Sequence, residues 1–455
     1  MSILTQRDLS TLSSGEWIVA ADSKYDAARA VWNGCIDRRP HAIVRCRSVS
    51  DVAETVKATV WLGVPLAVRG GGHGAPGFST CDDGIVLDLG LMNNIEIDAG
   101  AKLARVGGGA TWADLDRAAA VHGLATTGGM VSTTGVGGLT LGGGIGWLVR
   151  AFGLSCDNLV AADVVTADGE VVRAGPDGDE ELLWGLRGGG GNFGVVTSFE
   201  FRLHPVPGVL AGLALFPVAR ALELTAFYRD WLNTLPDECS TMLVLLTAPH
   251  EDFVPEELRG ELVLAIAGCH VGPPGRAERD LRALREQRPS ADLFEPMGYL
   301  DLQSMFDADY PAGDRYYMKG GFIDRCDEHL MRVALQHMQD RPSPRCEFDL
   351  HHMGGAVEIP GEDTAFPVRS APFNYNVVAG WTDAAQDGAH RTWARAFSAE
   401  LDELGASGTY VNFLTDVESD TAKRAYGDAR YTRLAALKRR YDPANVFMLN
   451  HNIEP

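Results

Sequence analysis

The chain has 455 residues, 45% of them hydrophobic, enough at roughly 150 residues per domain for two or three globular units. A formal net charge of −21 repels phosphate backbones and anionic lipid, which argues against nucleic-acid and membrane partners. No apolar run reaches the ~18 residues of a membrane helix. The start MSILTQRDLS lacks the charged-then-apolar pattern of a secretory signal, so the expected compartment is the cytoplasm.

In chain order, residues 51–63 (DVAETVKATVWLG) pattern as an amphipathic helix ending at Gly63, and 65–69 (PLAVR) as a short strand entering a glycine run. Strand-like stretches follow at 85–89, 94–98 and 103–106. Residues 111–122 form a helix capped by Thr111 and stopped by Gly123. Residues 160–174 are two β-rich runs around Asp168-Gly169, a hairpin signal. Residues 180–187 look helical, and 195–203 alternate like a strand. After Pro205-Val206-Pro207 glycine thins and helical patterns appear at Arg276–Arg288 and Glu328–Met338, so a domain boundary falls near residue 208. Tyr410–Pro455 reads as a helix followed by a polar tail.

Glycine is the anomaly: 52 of 455 residues, about 11% against a typical ~7%. Thirteen glycines fall in residues 107–146. Backbone without side chains can approach a polyanion closely and aim several N–H groups at it. The bland alternative is a glycine-rich turn region with no ligand. The glycines run on too long for a dinucleotide fingerprint, and no amphipathic helix starts among them. No GK[ST] phosphate loop, HExxH or GxSxG motif is present, and His351-His352 do not share a helix face. The eight cysteines form no CxxC pair, so buried thiols are the default reading. These absences point toward a cofactor enzyme.

Three stretches, VRGGGHGAPGFST (68–80), TTGVGGLTLGGGIGWLVRAFGLSCDNLVAADVVTADG (133–169) and LLWGLRGGGGNFGVVTSFEF (182–201), occur in an order that resembles the berberine bridge enzyme-like FAD-linked oxidases. YVNF (410–413) and YDPANVFMLNHNI (441–453) resemble that family's closing motifs. The resemblance implies an α+β fold of the vanillyl-alcohol-oxidase type. A PCMH-type FAD-binding domain of two α+β subdomains would occupy residues 1–208. A substrate domain, an antiparallel sheet backed by helices, would occupy 209–405. Residues 406–455 would return to the FAD domain.

By the same resemblance, His73 matches the histidine bonded to the flavin 8α-methyl group, and Cys156 the cysteine that bicovalent members bond to flavin C6. A polar turn histidine and an inert buried thiol are the alternatives. The resemblance places Arg69, Gly70, Gly71, Gly72, Gly74 and Ala75 at FAD, as it does Val131, Thr133, Thr134, Gly135, Gly137, Gly138, Gly142, Gly146 and Trp147. Asn158 and Leu159 lie beside the proposed thioether, Gly194 and Val195 match the adenine-side segment, and Asn450 and Asn452 the tail that meets the flavin ring. Thr134 stands where oxygen-reactive plant members carry a small β-branched residue, which implies open oxygen access.

The family's tyrosine base has no simple counterpart. The usual Tyr-x-Asn-Tyr reads Tyr410-Val411-Asn412-Phe413, and the usual AFPHR reads AFPVR (365–369). Tyr375, expected to line the groove by alternation, then Tyr410 and Tyr317 are the candidates. The implied activity is oxidation of an alcohol, lactol or sugar hydroxyl, by hydride transfer to flavin N5 and reduction of O₂ to hydrogen peroxide. A dehydrogenase with another acceptor and a ligand binder without turnover are the competing readings.

Overall fold

The computed structural model describes residues 13–358, 363–416 and 420–455. Among the described residues, three large sheets and one two-stranded pair, Leu124–Ala125 with His204–Pro205, carry the fold. The first has four strands in the order Glu16–Val19, Ala42–Arg45, Ile85–Asp88, Leu66–Arg69. Its three inner pairings include two parallel ones, Ala42–Arg45 and Leu66–Arg69 against Ile85–Asp88. Parallel strands are covered on both faces, and these read as short continuous apolar runs for that reason. Helix Val49–Leu62 crosses between them. Ser48 and Asp51 close a capping box at its start, and Gly63 (φ 64°) ends it in the left-handed region.

The second sheet is antiparallel, in the order Ile95–Asp98, Leu103–Gly107, Val195–Arg202, Leu159–Val165, Val171–Ala174. Alternation decides its faces. Ala104, Val106, Phe199 and Phe201 enter the core, while Arg105, Asp163 and Glu200 meet outside as ion pairs. Helix Trp112–Ala120 has the Thr111 cap read from the sequence. Two expectations differ. A short helix, Val136–Leu141, does begin within the glycine cluster. The pattern at 276–288 is broken into two short helices, Pro274–Asp280 and Arg282–Arg285.

The third sheet has nine antiparallel strands. Its middle runs Val209–Pro217, Leu262–His270, Cys239–Thr247, Glu347–His352, Phe373–Trp381, Arg315–Ile323. Ser407–Thr409 pairs with Arg315–Ile323, so this sheet reaches slightly past residue 405. One face packs under helices Ala221–Leu232, Glu328–Gln339 and Asp387–Glu403 through Leu224, Met331, Phe397 and their neighbours. The other face turns toward the glycine-rich segments of the first two sheets.

The last helix, Thr421–Tyr441, kinks at Gly427 (φ 69°) and packs against Leu182–Leu186. Lys438 is fully buried. Its ammonium donates to Asp442 at 2.6 Å, to the Asn192 carbonyl at 2.9 Å and to the Phe447 carbonyl at 3.0 Å. Asp442 in turn accepts from the Val446 and Phe447 amides. One buried ion pair thus ties the helix, the 189–192 turn and the C-terminal tail together. Removing one partner of such a pair leaves an uncompensated charge. Lys438→Met should lower unfolding free energy by about 3–5 kcal/mol in denaturant titration; a loss below about 1 kcal/mol would contradict this role.

Candidate active site

Between the glycine-rich layer and the third sheet lies a cavity of about 870 Å³, within the ordinary range of ligand and cofactor sites. Gly70–Ala75 form one wall. The Gly135–Gly142 segment, Gly190, Gly191, Gly194 and the tail residues Phe447, Leu449, Asn450 and His451 form the rest of that side. Across it stand residues of the third sheet, including Met242, Val244, Met318, Asp349, His351 and Asn376.

The glycines are required by geometry at two places. A Cβ on Gly71 would sit 2.5 Å from the Gly135 nitrogen, and one on Gly135 would sit 2.4 Å from the Gly71 nitrogen. The two backbones pass with no room for a side chain. At Gly74, Gly138 and Gly191 the reverse holds: a Cβ would meet no atom of the described residues within 4 Å. Those glycines keep space open rather than allow close packing of the protein itself.

His73 faces the cavity. Its ring stacks on Trp32 at 4.2 Å between centroids, and Trp32 stacks on Tyr316 at 4.0 Å. Burial pushes the imidazole pKa down to about 4, so the ring is neutral at pH 7, with a nitrogen lone pair free of a proton. Its Nε2 is buried and has no hydrogen-bond partner among the described residues. An open glycine cradle beside an orphaned, neutral histidine nitrogen fits a large cofactor attached at that nitrogen.

Of the residues expected at the cofactor, Gly70, Gly71, Gly72, His73, Gly74, Ala75, Val131, Thr134, Gly135, Gly137, Gly138, Gly142, Gly194 and Asn450 line the cavity. Others do not. Arg69 donates to the Ala28 and Ser79 carbonyls and so pins the loop that carries His73. Asn158 donates to the Phe152 and Leu154 carbonyls and meets His204 at 2.7 Å, shaping its own turn. Leu159 and Val195 are strand residues inside apolar cores. Gly146 is held against the Gly128 carbonyl, Trp147 is buried in the third-sheet core, and Thr133 and Asn452 lie outside the lining.

Cys156, expected at flavin C6, is not among the lining residues. Its thiol is buried with Leu154, Met353, Phe366 and Tyr410, away from the cavity. Burial and the neighbouring Asp157 carboxylate push its pKa well up, so the thiolate needed for a bond to a cofactor is suppressed.

The three tyrosines also fall elsewhere. Strand Phe373–Trp381 sends Phe373, Tyr375 and Val377 to the helix-covered side and Asn376 to the cavity, so Tyr375 points away. Tyr317 likewise lies on the helix side, hydrogen-bonded to Asp416 and to Arg395 Nε at 2.8 Å. The Tyr410 hydroxyl accepts from the Gly144 and Ile145 amides at 3.0 and 3.1 Å and from Asn412 at 3.0 Å. Burial carries its pKa up to about 12. It anchors the turn after helix Val136–Leu141 and is absent from the cavity lining.

What the sequence reading missed is strand Glu347–His352. Glu347, Asp349 and His351 face the cavity, while Phe348 and Leu350 face the helices. Asp349 lies across from Asn376, whose amide hydrogen-bonds to it. Burial raises the Asp349 pKa to about 7, and burial with the nearby Asp349 charge raises that of Glu347 well above the carboxylate range. The pair therefore holds a proton near neutral pH. The alternation Glu-Phe-Asp-Leu-His was a readable signal.

Comparison with known proteins agrees with this geometry. Residues 40–175 match the family model described as FAD binding domain, and 409–454 the one described as berberine and berberine like. (R)-6-hydroxynicotine oxidase of Paenarthrobacter nicotinovorans is 34% identical over 97% of both chains. The chain belongs to the berberine bridge enzyme-like family of FAD-linked oxidoreductases. An FAD-linked oxidoreductase of Dictyostelium discoideum is 32% identical over 93% of this chain and 91% of its own. Among solved structures, 6-hydroxy-D-nicotine oxidase from Arthrobacter nicotinovorans superposes with a TM-score of 0.87 at 33% identity, covering 97% of this chain and 98% of that one. BBE-like 1 of Physcomitrella patens shares the fold, with a TM-score of 0.87 at 22% identity over 99% of both chains. The protein is accordingly an FAD-dependent oxidoreductase with a PCMH-type cofactor domain.

Two glycine variants separate the packing and cradle roles. Gly138→Val should leave the thermal melt of the apoprotein nearly unchanged yet reduce FAD loading at least tenfold, read from the flavin-to-protein absorbance ratio. Gly71→Ala, which meets backbone, should lower both. Equal FAD loading in Gly138→Val and wild type would contradict the cradle.

Proposed function

We propose that this protein is an oxidase that carries FAD on a single covalent link, through His73, and oxidises a small organic substrate at a carbon bearing oxygen or nitrogen. The observation behind the link is the neutral, partnerless His73 Nε2 at the cavity wall. The buried, cavity-distant Cys156 supports one bond in place of two. We take residues 1–208 with 406–455 as the cofactor unit and 209–405 as the substrate unit. His73 and the open glycines at 74, 138 and 191 would hold FAD, which would supply two-electron oxidation of the substrate with O₂ as the final acceptor, giving hydrogen peroxide. Thr134 at the cavity wall is consistent with oxygen access.

The protein's own contribution is orientation and proton handling. Trp32 holds the His73 ring by stacking, and Asn412 reaches from Tyr410 to the Leu139 carbonyl at 3.0 Å, fixing the turn beneath the cavity. The substrate sheet contributes an apolar face and one polar strand. In that strand Asp349 is the proton acceptor, in place of a tyrosine. Its carboxyl lies in the lining, and its pKa of about 7 suits acid–base work at neutral pH.

Sign and size follow. Asp349 accepts a proton only as carboxylate, so kcat/KM should rise as pH increases through about 7 and fall below it. General bases contribute roughly 10²–10⁴-fold. Asp349→Asn should lose about that factor, along with the rising limb, while Tyr375→Phe and Tyr317→Phe retain it. The experiment is anaerobic bleaching of the flavin by a substrate panel, followed by peroxide detection on admitting air. Bleaching without peroxide would favour a dehydrogenase.

A further inference from the structure

A second, much smaller cavity adjoins the large one. His351, Met130 and Ile145 line both. Its volume is about 10 Å³, and Trp147, Ser240, Thr241, His351 and His352 supply its polar lining. That is about the space of one buried water, which also needs two to four polar partners. The partners are present. Trp147 Nε1, both ring nitrogens of His351 and His352 Nδ1 are buried with no hydrogen-bond partner among the described residues. Ser240 Oγ takes one long bond from the Arg150 amide, at 3.5 Å, and has room for another. Thr241 is already engaged with the Tyr228 hydroxyl at 2.9 Å.

The roles of these atoms follow from Arg150. Its guanidinium is held by the Cys239 carbonyl at 3.0 Å and by Asp237 at 3.1 Å, and its Nη1 stands 3.1 Å from His352 Nε2. A guanidinium only donates. His352 Nε2 is therefore an acceptor, and the ring carries its proton on Nδ1. Burial and the Arg150 charge push the His352 pKa down to about 3, so the ring stays neutral. The Trp147 indole nitrogen is also a donor only. Two fixed donors thus line the small cavity. We propose that this cavity holds one structural water, which accepts from Trp147 Nε1 and His352 Nδ1 and donates to Ser240 Oγ and one ring nitrogen of His351, and that this water fixes His351 as a neutral ring presenting an N–H to the large cavity.

The valences decide the outcome. Two donors fill the lone pairs of the water, so both of its hydrogens point outward to acceptors. The His351 nitrogen it meets must then bear a lone pair. Burial pushes the His351 pKa down to about 4, so at pH 7 the ring holds one proton, on its other nitrogen. His351 lies between the two cavities, and that N–H is left for the large one. A hydrogen bond to one ring nitrogen setting the state of the other is the usual way a protein chooses a histidine tautomer. The water also joins the two halves of the molecule, because Trp147 comes from the glycine-rich side and Ser240, His351 and His352 from the third sheet. For the chemistry, one consequence rests on the Asp349 reading above. As a substrate O–H or N–H gives its proton to the Asp349 carboxylate, the electron density left on that oxygen or nitrogen meets a donor at His351 two residues along the strand.

The test pairs a crystal structure of the oxidised, FAD-loaded protein with nitrogen-15 NMR of the same protein labelled at its 12 histidines. The crystal should show a water within hydrogen-bond distance of Trp147 Nε1, His352 Nδ1 and one His351 nitrogen. The NMR shifts at pH 7 should show His351 as a single neutral tautomer, unprotonated at the nitrogen that touches the water. His352→Leu removes one donor to the water and should give His351 a mixture of tautomers. His352→Gln, whose amide can accept from Arg150 and donate to the water, should restore the single form. Trp147→Phe removes the other donor and should also give a mixture, so it decides the matter if His352→Leu does not fold. A dry cavity, a proton on the nitrogen facing the water, or a single tautomer that persists in the folded donor-deleted variants would overturn the proposal. Neither readout uses turnover, so its failure is distinguishable from failure of the oxidase reading.

Discussion

The structure depends on the passage of two backbones at Gly71 and Gly135. The loop bearing His73 and the turn leading into helix Val136–Leu141 approach so closely that neither can carry a side chain. That contact fixes where the histidine ring stands relative to the open glycines at 74, 138 and 191. Arg69 secures the same loop from behind through the Ala28 and Ser79 carbonyls. Tyr410 and Asn412 secure the far end of the helix. The cavity is thus framed by backbone whose position is over-determined, as a site for a large, rigid cofactor needs.

The rest of the molecule supplies the other wall and closes the ring. A nine-stranded sheet must bury both faces, and it does so asymmetrically. One face packs on helices, and the other packs in part on Trp147, Tyr299 and Leu302 and otherwise lines the cavity. The buried Lys438–Asp442 pair brings the tail back beneath the glycine turns, placing Asn450 and His451 in the lining. Chain order and spatial order differ, so the cofactor side is assembled from both ends of the sequence.

Much of this was legible in the residues. The capping signals at Ser48 and Thr111, the hairpin at Asp168-Gly169 and the glycine-rich motifs in their order identify the cofactor domain. Where the placement departs from the expectation, the reasons are physical. Cys156 sits in a motif-like stretch, but whether its sulfur faces a cavity or an apolar cluster depends on the turn that Asn158 and His204 shape. Tyr375 lies in a strand buried along its whole length, where period-two alternation separates two faces without saying which is the ligand's. Strand Glu347–His352 inverts the usual pattern, with its polar side inward toward a cavity.

The proposed single link through His73 is open to a direct test. Peptide mapping by mass spectrometry of the purified protein, with His73→Ala and Cys156→Ala beside it, tests this directly. One FAD should appear on the peptide containing His73, in wild type and in Cys156→Ala alike, and none in His73→Ala. FAD on the peptide containing Cys156, or no covalent FAD in any of the three, would contradict the account.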